Sequence, residues 1–174
     1  MIRFFIPLIA VVLFYLEPVF GSFSPIEIND TLYFMVPRFM IMYLIFVSIY
    51  YNRKKAIIYG LVFGLLYDIY YIDIIGLYSV IYPLICLAAG SAVKYVHQNL
   101  VVATALSLIL VALLELLLYV FFSIISLKSI EFSIFLTTRL VPTMVANSIF
   151  LIMLGWAFRN LIRTRLLHTG KQPI

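Results

Sequence analysis

Charged side chains are scarce in this sequence. Asp, Glu, Lys and Arg make up 11% of its 174 residues, against about 25% in soluble domains. Apolar residues make up 66%, and the mean hydropathy is +1.17. Such a chain would expose extensive apolar surface to water in any soluble fold. Soluble classes are therefore excluded, and the composition indicates an integral membrane protein.

Residues that commonly build catalytic or metal sites are also few. Cys86 is the single cysteine and lies in an apolar run, which excludes a disulfide or a cysteine metal site within one chain. His97 and His168 stand at predicted helix ends, where interfacial or tail roles are typical. Asp68 and Asp73 would lie on different faces of a helix, which does not suit a pair of catalytic carboxylates. We therefore expect no enzyme activity, no metal and no cofactor.

Long apolar runs separated by short polar segments predict about six membrane-spanning helices. Each run supplies the roughly 20 residues that cross the hydrocarbon core as a helix. The predicted spans are residues 4–20, 32–51, 56–71, 74–93, 100–125 and 135–158. The alternative for the first run is a cleaved signal peptide, which would leave five spans. We predict an all-α, polytopic helical bundle, with residues 1–174 forming a single integral membrane domain.

Basic residues are unevenly divided between the two ends of these spans. Arg38, Lys128 and Arg139 fall on one side. The other side holds Arg3, Arg53, Lys54, Lys55, Lys94, Arg159, Arg163, Arg165 and Lys171. The positive-inside rule places this second group, and with an even number of spans both termini, in the cytoplasm. The net charge of +5 comes from basic residues at helix ends rather than on one hydrophilic face, so we expect no nucleic-acid partner.

Four ionisable residues are predicted to lie at membrane depth, where each costs about 2.5 to 3.5 kcal/mol to insert centrally. They are Arg38, Asp68, Glu115 and Arg139. Helical spacing puts six residues on one stripe, which should face the bundle: Thr104, Ser107, Val111, Glu115, Tyr119 and Phe122. One interpretation is an outer polar core that lines a cavity or holds a partner helix. The other is that the charges pair to close the bundle, or that the arginines extend to the headgroups.

Small residues and prolines mark further positions of interest. Ala56, Gly60 and Gly64 recur every four residues and predict a close helix-packing face. Pro37, Pro83 and Pro142 are expected to distort helices, and Pro142 to release a backbone carbonyl. Thr143 and Asn147 follow Arg139 at the same four-residue spacing.

Several stretches of this sequence resemble the rod shape-determining MreD family. The matching stretches are Leu16-Glu17-Pro18, Val36-Pro37-Arg38, Tyr51-Asn52-Arg53-Lys54, the run from Gly60 to Asp68, and Gly76-Leu77-Tyr78. The resemblance implies a scaffold in the bacterial cytoplasmic membrane, and a fold similar to the substrate-binding component of energy-coupling-factor transporters. It implies an MreC-like partner, and beyond it an MreB-like filament, a RodA-type synthase and a penicillin-binding protein.

We hypothesise that the face formed by Ala56, Gly60 and Gly64, together with the outer polar core, receives the single transmembrane helix of an MreC-like protein. The cytoplasmic cluster Arg53-Lys54-Lys55 could bind membrane lipid or a filament, although topology also explains it. A homo-oligomer is left open. The competing function is a small-molecule-binding component of a vitamin transporter, in which the same inward polar residues would bind a solute. The third is an intramembrane hydrolase, whose activity would depend on Asp68 or Asp73.

Overall fold

The computed structural model describes residues 2–93, 99–125 and 131–167 and is an all-α membrane helical bundle with one small hairpin. The helices are α1 (Ile2–Gly21), α2 (Phe39–Tyr50), α3 (Arg53–Tyr67), α4 (Leu77–Ala92), α5 (Leu100–Ile125), α6 (Phe132–Phe135) and α7 (Val141–Leu167). A π-helical turn, Asp68–Ile72, extends α3, and a second, Leu136–Leu140, joins α6 to α7. In the described ranges, four helical stretches are long and apolar enough to cross a membrane, and α2 and α4 are shorter apolar helices.

The largest difference from the predicted spans is at the start of the second. Residues 32–51 were predicted to be helical throughout, but Thr31–Tyr33 is a strand, residues 34–38 have no regular secondary structure, and α2 begins at Phe39. Hydropathy missed this because an irregular apolar segment and a helical one can have the same composition. The fifth prediction, 100–125, coincides with α5. The sixth helix begins earlier than predicted, at Phe132.

Helix α2 forms the centre of the bundle. All twelve of its residues are buried, and α1, α3, α4, α5 and α7 surround it. A helix that is apolar on every side can be enclosed in this way without leaving polar side chains unpaired. The next helix begins at once, because the Asn52 side chain caps α3 by accepting a hydrogen bond from the Lys55 N–H at 3.1 Å. The core therefore lies around α2, and the other helices cover it.

The face formed by Ala56, Gly60 and Gly64 is occupied within the chain. A Cβ at Gly60 would lie 3.1 Å from the nitrogen of Pro83, which stands inside α4, and a Cβ at Gly64 would lie 2.8 Å from Ser79 Cα. Ala56 is fully buried. The small residues thus let α3 and α4 approach backbone to backbone. The expectation that this face receives a partner helix is wrong, because α4 already covers it.

The segment predicted as a short loop after α1 contains the hairpin. Strands β1 (Ile26–Ile28) and β2 (Thr31–Tyr33) pair antiparallel, with Ile26 opposite Tyr33. Asn29 and Asp30 both have positive φ, 50° and 59°, as a two-residue type I′ turn requires. The hairpin defines one end of the bundle, called here the hairpin end.

Candidate functional site

The irregular segment 34–38 is held by side chains on one face of α7. Asn147 accepts a hydrogen bond from the Arg38 N–H at 2.9 Å and donates to the Val36 carbonyl at 2.9 Å. One turn earlier, the Thr143 hydroxyl accepts from the Val36 N–H at 3.1 Å and donates to the Phe34 carbonyl at 3.2 Å. Both polar side chains are fully buried. They supply the partners that irregular backbone needs inside a membrane protein.

Pro142 adds a backbone partner to this clamp. Proline has no N–H, so the carbonyl four residues earlier, that of Thr138, lacks its usual helical donor. Thr138 O instead accepts a hydrogen bond from the Phe34 N–H at 2.7 Å. Pro142 therefore leaves the Thr138 carbonyl free of the helical hydrogen-bond pattern and available to the Phe34 N–H. Pro37, by contrast, does not distort a helix as expected, because it lies in the irregular segment before α2.

Arg38, Glu115 and Arg139 form a buried ion cluster. Arg38 Nε and Nη2 each lie 2.6 Å from Glu115 Oε1, and Arg139 Nε lies 3.1 Å from Oε2. The side chain of Glu115 is fully buried, that of Arg38 is 4% exposed, and that of Arg139 is 39% exposed. Arg38 Nη1 also donates to Tyr78 Oη at 3.0 Å. The cluster joins the start of α2 to α4, α5 and the π-turn before α7.

Asp68 is buried but stands apart from this cluster. Its carboxylate accepts hydrogen bonds from the backbone N–H groups of Tyr78 at 2.7 Å, Gly76 at 3.0 Å and Ser79 at 3.1 Å. These are orphan donors at the first turn of α4, where a carboxylate also complements the helix dipole. Asp68 therefore does not contact Glu115 directly among the described residues, and Tyr78 links it to Arg38 of the ion cluster.

Glu17 belongs to the buried polar groups, although sequence reasoning gave it no such role. It is 4% exposed, and Oε2 accepts a hydrogen bond from the Met40 N–H at 3.1 Å, in the first turn of α2. The carboxylate thereby ties α1 to the central helix. One signal could have found it: Glu17 precedes Pro37-Arg38 much as Glu115 precedes Arg139 and Pro142.

An apolar groove lies between the hairpin and α7. Its cavity volume is about 320 Å³, and it is lined by Ile26, Ile28, Tyr33, Met35, Thr137, Val141, Pro142 and Val145. Val141 and Val145 are 56% and 55% exposed, so the groove opens at the surface of the bundle.

Comparison with known proteins identifies the family of this chain. The family of rod shape-determining protein MreD matches residues 1–165. The rod shape-determining protein MreD of Bacillus subtilis (strain 168) is 32% identical over 159 residues, which cover 90% of this chain and 91% of that protein. The cell shape-determining protein MreD of Streptococcus pneumoniae (strain ATCC BAA-255 / R6) is 23% identical over 146 residues, or 84% and 85% of the two chains. This chain belongs to the MreD family.

MreD relatives are named for determining rod or cell shape, and MreD is not a known enzyme family. No solved structure matches this chain, so the likeness of its fold to energy-coupling-factor components stays a prediction. Several positions that carried the resemblance to MreD are buried contacts in this chain. Val36 and Arg38 lie in the clamped segment, Gly64 lies against α4, and Asp68 caps that helix at Tyr78.

Proposed function

We propose that this chain is a non-catalytic scaffold of the bacterial cell-elongation machinery. It maintains rod shape and organises peptidoglycan synthesis by holding the transmembrane helix of an MreC-like protein. An MreB-like filament, a RodA-type synthase and a penicillin-binding protein are the further partners of this proposal. Membership of the shape-determining family supports the cellular role.

The observation that carries the partner assignment is the apolar groove beside α7. Below the groove, exposed apolar residues continue along α7 as one stripe, because spacings of three and four residues share a helix face. They are Val141, Val145, Ile149 and Ile152, at 55% to 80% exposure. A single-span helix lying on this stripe would contact α7 within the bilayer. Its continuation beyond the bilayer would contact Ile26 and Ile28 of the hairpin.

The buried polar groups support a scaffold over the alternative, a small-molecule-binding component of an energy-coupling-factor type vitamin transporter. A solute site needs polar groups that remain available to the ligand. Here Arg38 and Glu115 contact each other at 2.6 Å, and the Asn147 side chain is hydrogen-bonded to the backbone of residues 36 and 38. These polar groups act within the fold and join its helices.

We also propose that the chain lies in the cytoplasmic membrane with the hairpin end outside and both termini in the cytoplasm. The basic cluster Arg53-Lys54-Lys55 supports this orientation, because it begins α3 at the end of the bundle opposite the hairpin. A cysteine placed at the exposed Lys54 should resist a membrane-impermeant thiol reagent in intact cells, while one at Glu27 should react. The reverse pattern would contradict the orientation.

Photocrosslinking in living cells tests the partner assignment. A photoreactive residue at Val145, in the groove, should capture an MreC-like membrane protein. The matched control is Leu61 on α3, which is 52% exposed and does not line the groove. Position 61 should capture none of that protein.

Three results would contradict the proposal. Equal capture at Val145 and Leu61 would show that the groove is not the docking surface. Absence of MreC-like protein at both positions, with the chain expressed, would contradict the partner. Capture of ATPase subunits and a large coupling membrane subunit would make the chain part of a transporter.

A further inference from the structure

Arg139 uses only part of its guanidinium within the chain. Its Nε donates to Glu115 Oε2 at 3.1 Å, and in the part of the chain that the structure describes this is the single hydrogen bond of the side chain. The two Nη groups, which carry four of the five guanidinium N–H donors, are left available. At 39% exposure, Arg139 is also the accessible member of the ion cluster, whereas Arg38 and Glu115 are enclosed.

The local charges leave a site for an anion beside Arg139. Arg38 and Glu115 already neutralise each other through two contacts of 2.6 Å to Oε1. Adding Arg139 gives the cluster a net formal charge of +1. Two further carboxylates are buried near this end, and both accept from backbone N–H groups: Glu17 from Met40, and Asp68 from the start of α4. An exposed guanidinium in a membrane-facing position is costly unless an anion or water reaches it.

The start of the helical stretch indicates how deep this guanidinium lies. That stretch begins at Phe132, directly after the exposed Glu131 and seven residues before Arg139. Arg139 therefore lies about 10 Å from the start of the stretch at the hairpin end. An arginine side chain near a helix end extends its charged group toward the headgroups.

We propose that the Nη groups of Arg139 bind the phosphate of a lipid headgroup in the leaflet at the hairpin end. Arginine forms bidentate hydrogen bonds with phosphate oxygens, and the contact through Nε fixes the plane of the guanidinium beforehand. The bound phosphate balances the excess charge of the cluster. The site would place one lipid beside α5 and the π-helical turn Leu136–Leu140.

Native mass spectrometry of the purified full chain tests the site. The probes are phosphatidylglycerol, diacylglycerol with the same acyl chains, and inorganic phosphate. The wild-type chain should retain phosphatidylglycerol about tenfold more strongly than diacylglycerol, which lacks the phosphate. Arg139→Gln should remove this preference. Lys54→Gln, which removes one positive charge at the exposed opposite end, should leave it unchanged.

Each arm has a result that overturns the proposal. Equal retention of phosphatidylglycerol and diacylglycerol by the wild-type chain would do so without any variant. Displacement of the lipid preference by inorganic phosphate would make a free phosphate the ligand. An unchanged preference in Arg139→Gln would place the site elsewhere. Where Arg139→Gln fails to fold, Arg139→Lys serves instead, and it should reduce the preference because ammonium lacks the bidentate fork.

Discussion

Arg38 and Glu115 are 77 residues apart in the chain, and the Arg38 Nε lies 2.6 Å from Glu115 Oε1 at the start of the central helix. The pair connects the first residue before α2 to the middle of α5. Arg139 approaches the other carboxylate oxygen from the π-turn before α7. One carboxylate thus fixes three segments that are remote in sequence, and the fold depends on it more than on either arginine.

Glu115→Gln should therefore destabilise the chain more than Arg139→Gln. Removing one partner of a buried ion pair typically costs about 3 to 5 kcal/mol, because the remaining charge stays buried. Arg139 is 39% exposed and leaves Glu115 paired with Arg38, so its loss should cost about 1 kcal/mol or less. Thermal unfolding of the variants in one detergent measures both. A larger loss for Arg139→Gln would contradict the central role of the carboxylate.

Asp68→Ala should weaken the start of α4. Three backbone N–H groups would lose the carboxylate that accepts from them at 2.7 to 3.1 Å. The expected cost is about 1 to 3 kcal/mol in unfolding free energy, with faster hydrogen exchange at residues 76–79. Asp73→Asn is the control, because Asp73 is exposed and its φ of 56° is one that asparagine adopts readily. Equal effects of the two changes would refute the capping role.

Gly64→Ala should destabilise the isolated chain, with no partner present. The added Cβ would meet the Tyr78 carbonyl and lie 2.8 Å from Ser79 Cα, and backbone atoms cannot move aside as a side chain can. Overpacking of this kind costs about 1 to 3 kcal/mol. At Gly21 an added Cβ meets nothing within 4 Å, so Gly21→Ala should leave the melting temperature nearly unchanged. If Gly64→Ala melts like the wild type, α3 and α4 are farther apart than described.

Asn147→Leu should release the irregular segment 34–38. Leucine has nearly the same size but cannot accept from the Arg38 N–H or donate to the Val36 carbonyl. Hydrogen exchange at residue 38 should accelerate, and the hairpin should become sensitive to protease. Ser148→Ala removes a hydroxyl that bonds only the carbonyl of Met144 in its own helix, at 2.7 Å, and should change neither readout. Protection of Arg38 N–H that persists in Asn147→Leu would show that another group holds the segment.

The sequence was sufficient for features that depend on composition and helical periodicity. The limits of α5 were predicted correctly, and the centre of the predicted stripe, Ser107, Val111 and Glu115, is fully buried. The ends of the stripe are not, because Thr104 and Tyr119 are half-buried and Phe122 is 39% exposed. Hydropathy indicates whether a segment lies in lipid or in water, and the spacing of polar residues indicates which face of a helix is buried. Both signals are local, and both are strong in a chain this apolar.

The remaining features depend on partners far away in sequence. The irregular segment 34–38 is mostly apolar, like a membrane helix, and its backbone is held mainly by Thr138, Thr143 and Asn147, about 100 residues later. Glu17 and Asp68 cap the starts of α2 and α4. Hydropathy does not locate a helix start to within one turn, so it could not assign these caps. The small-residue pattern of α3 correctly indicated close packing, but it does not specify whether the neighbour belongs to the same chain.

The enclosed position of α2 has a consequence for the order of assembly. A ribosome makes α2 early, so this helix enters the bilayer when α3, α4, α5 and α7 do not yet exist to surround it. Its uniformly apolar surface is suited to lipid at that stage and to protein afterwards. The backbone of residues 34–38, however, finds its partners only when the last span has been synthesised and inserted. Completion of the fold at its centre therefore waits for the final helix of the chain.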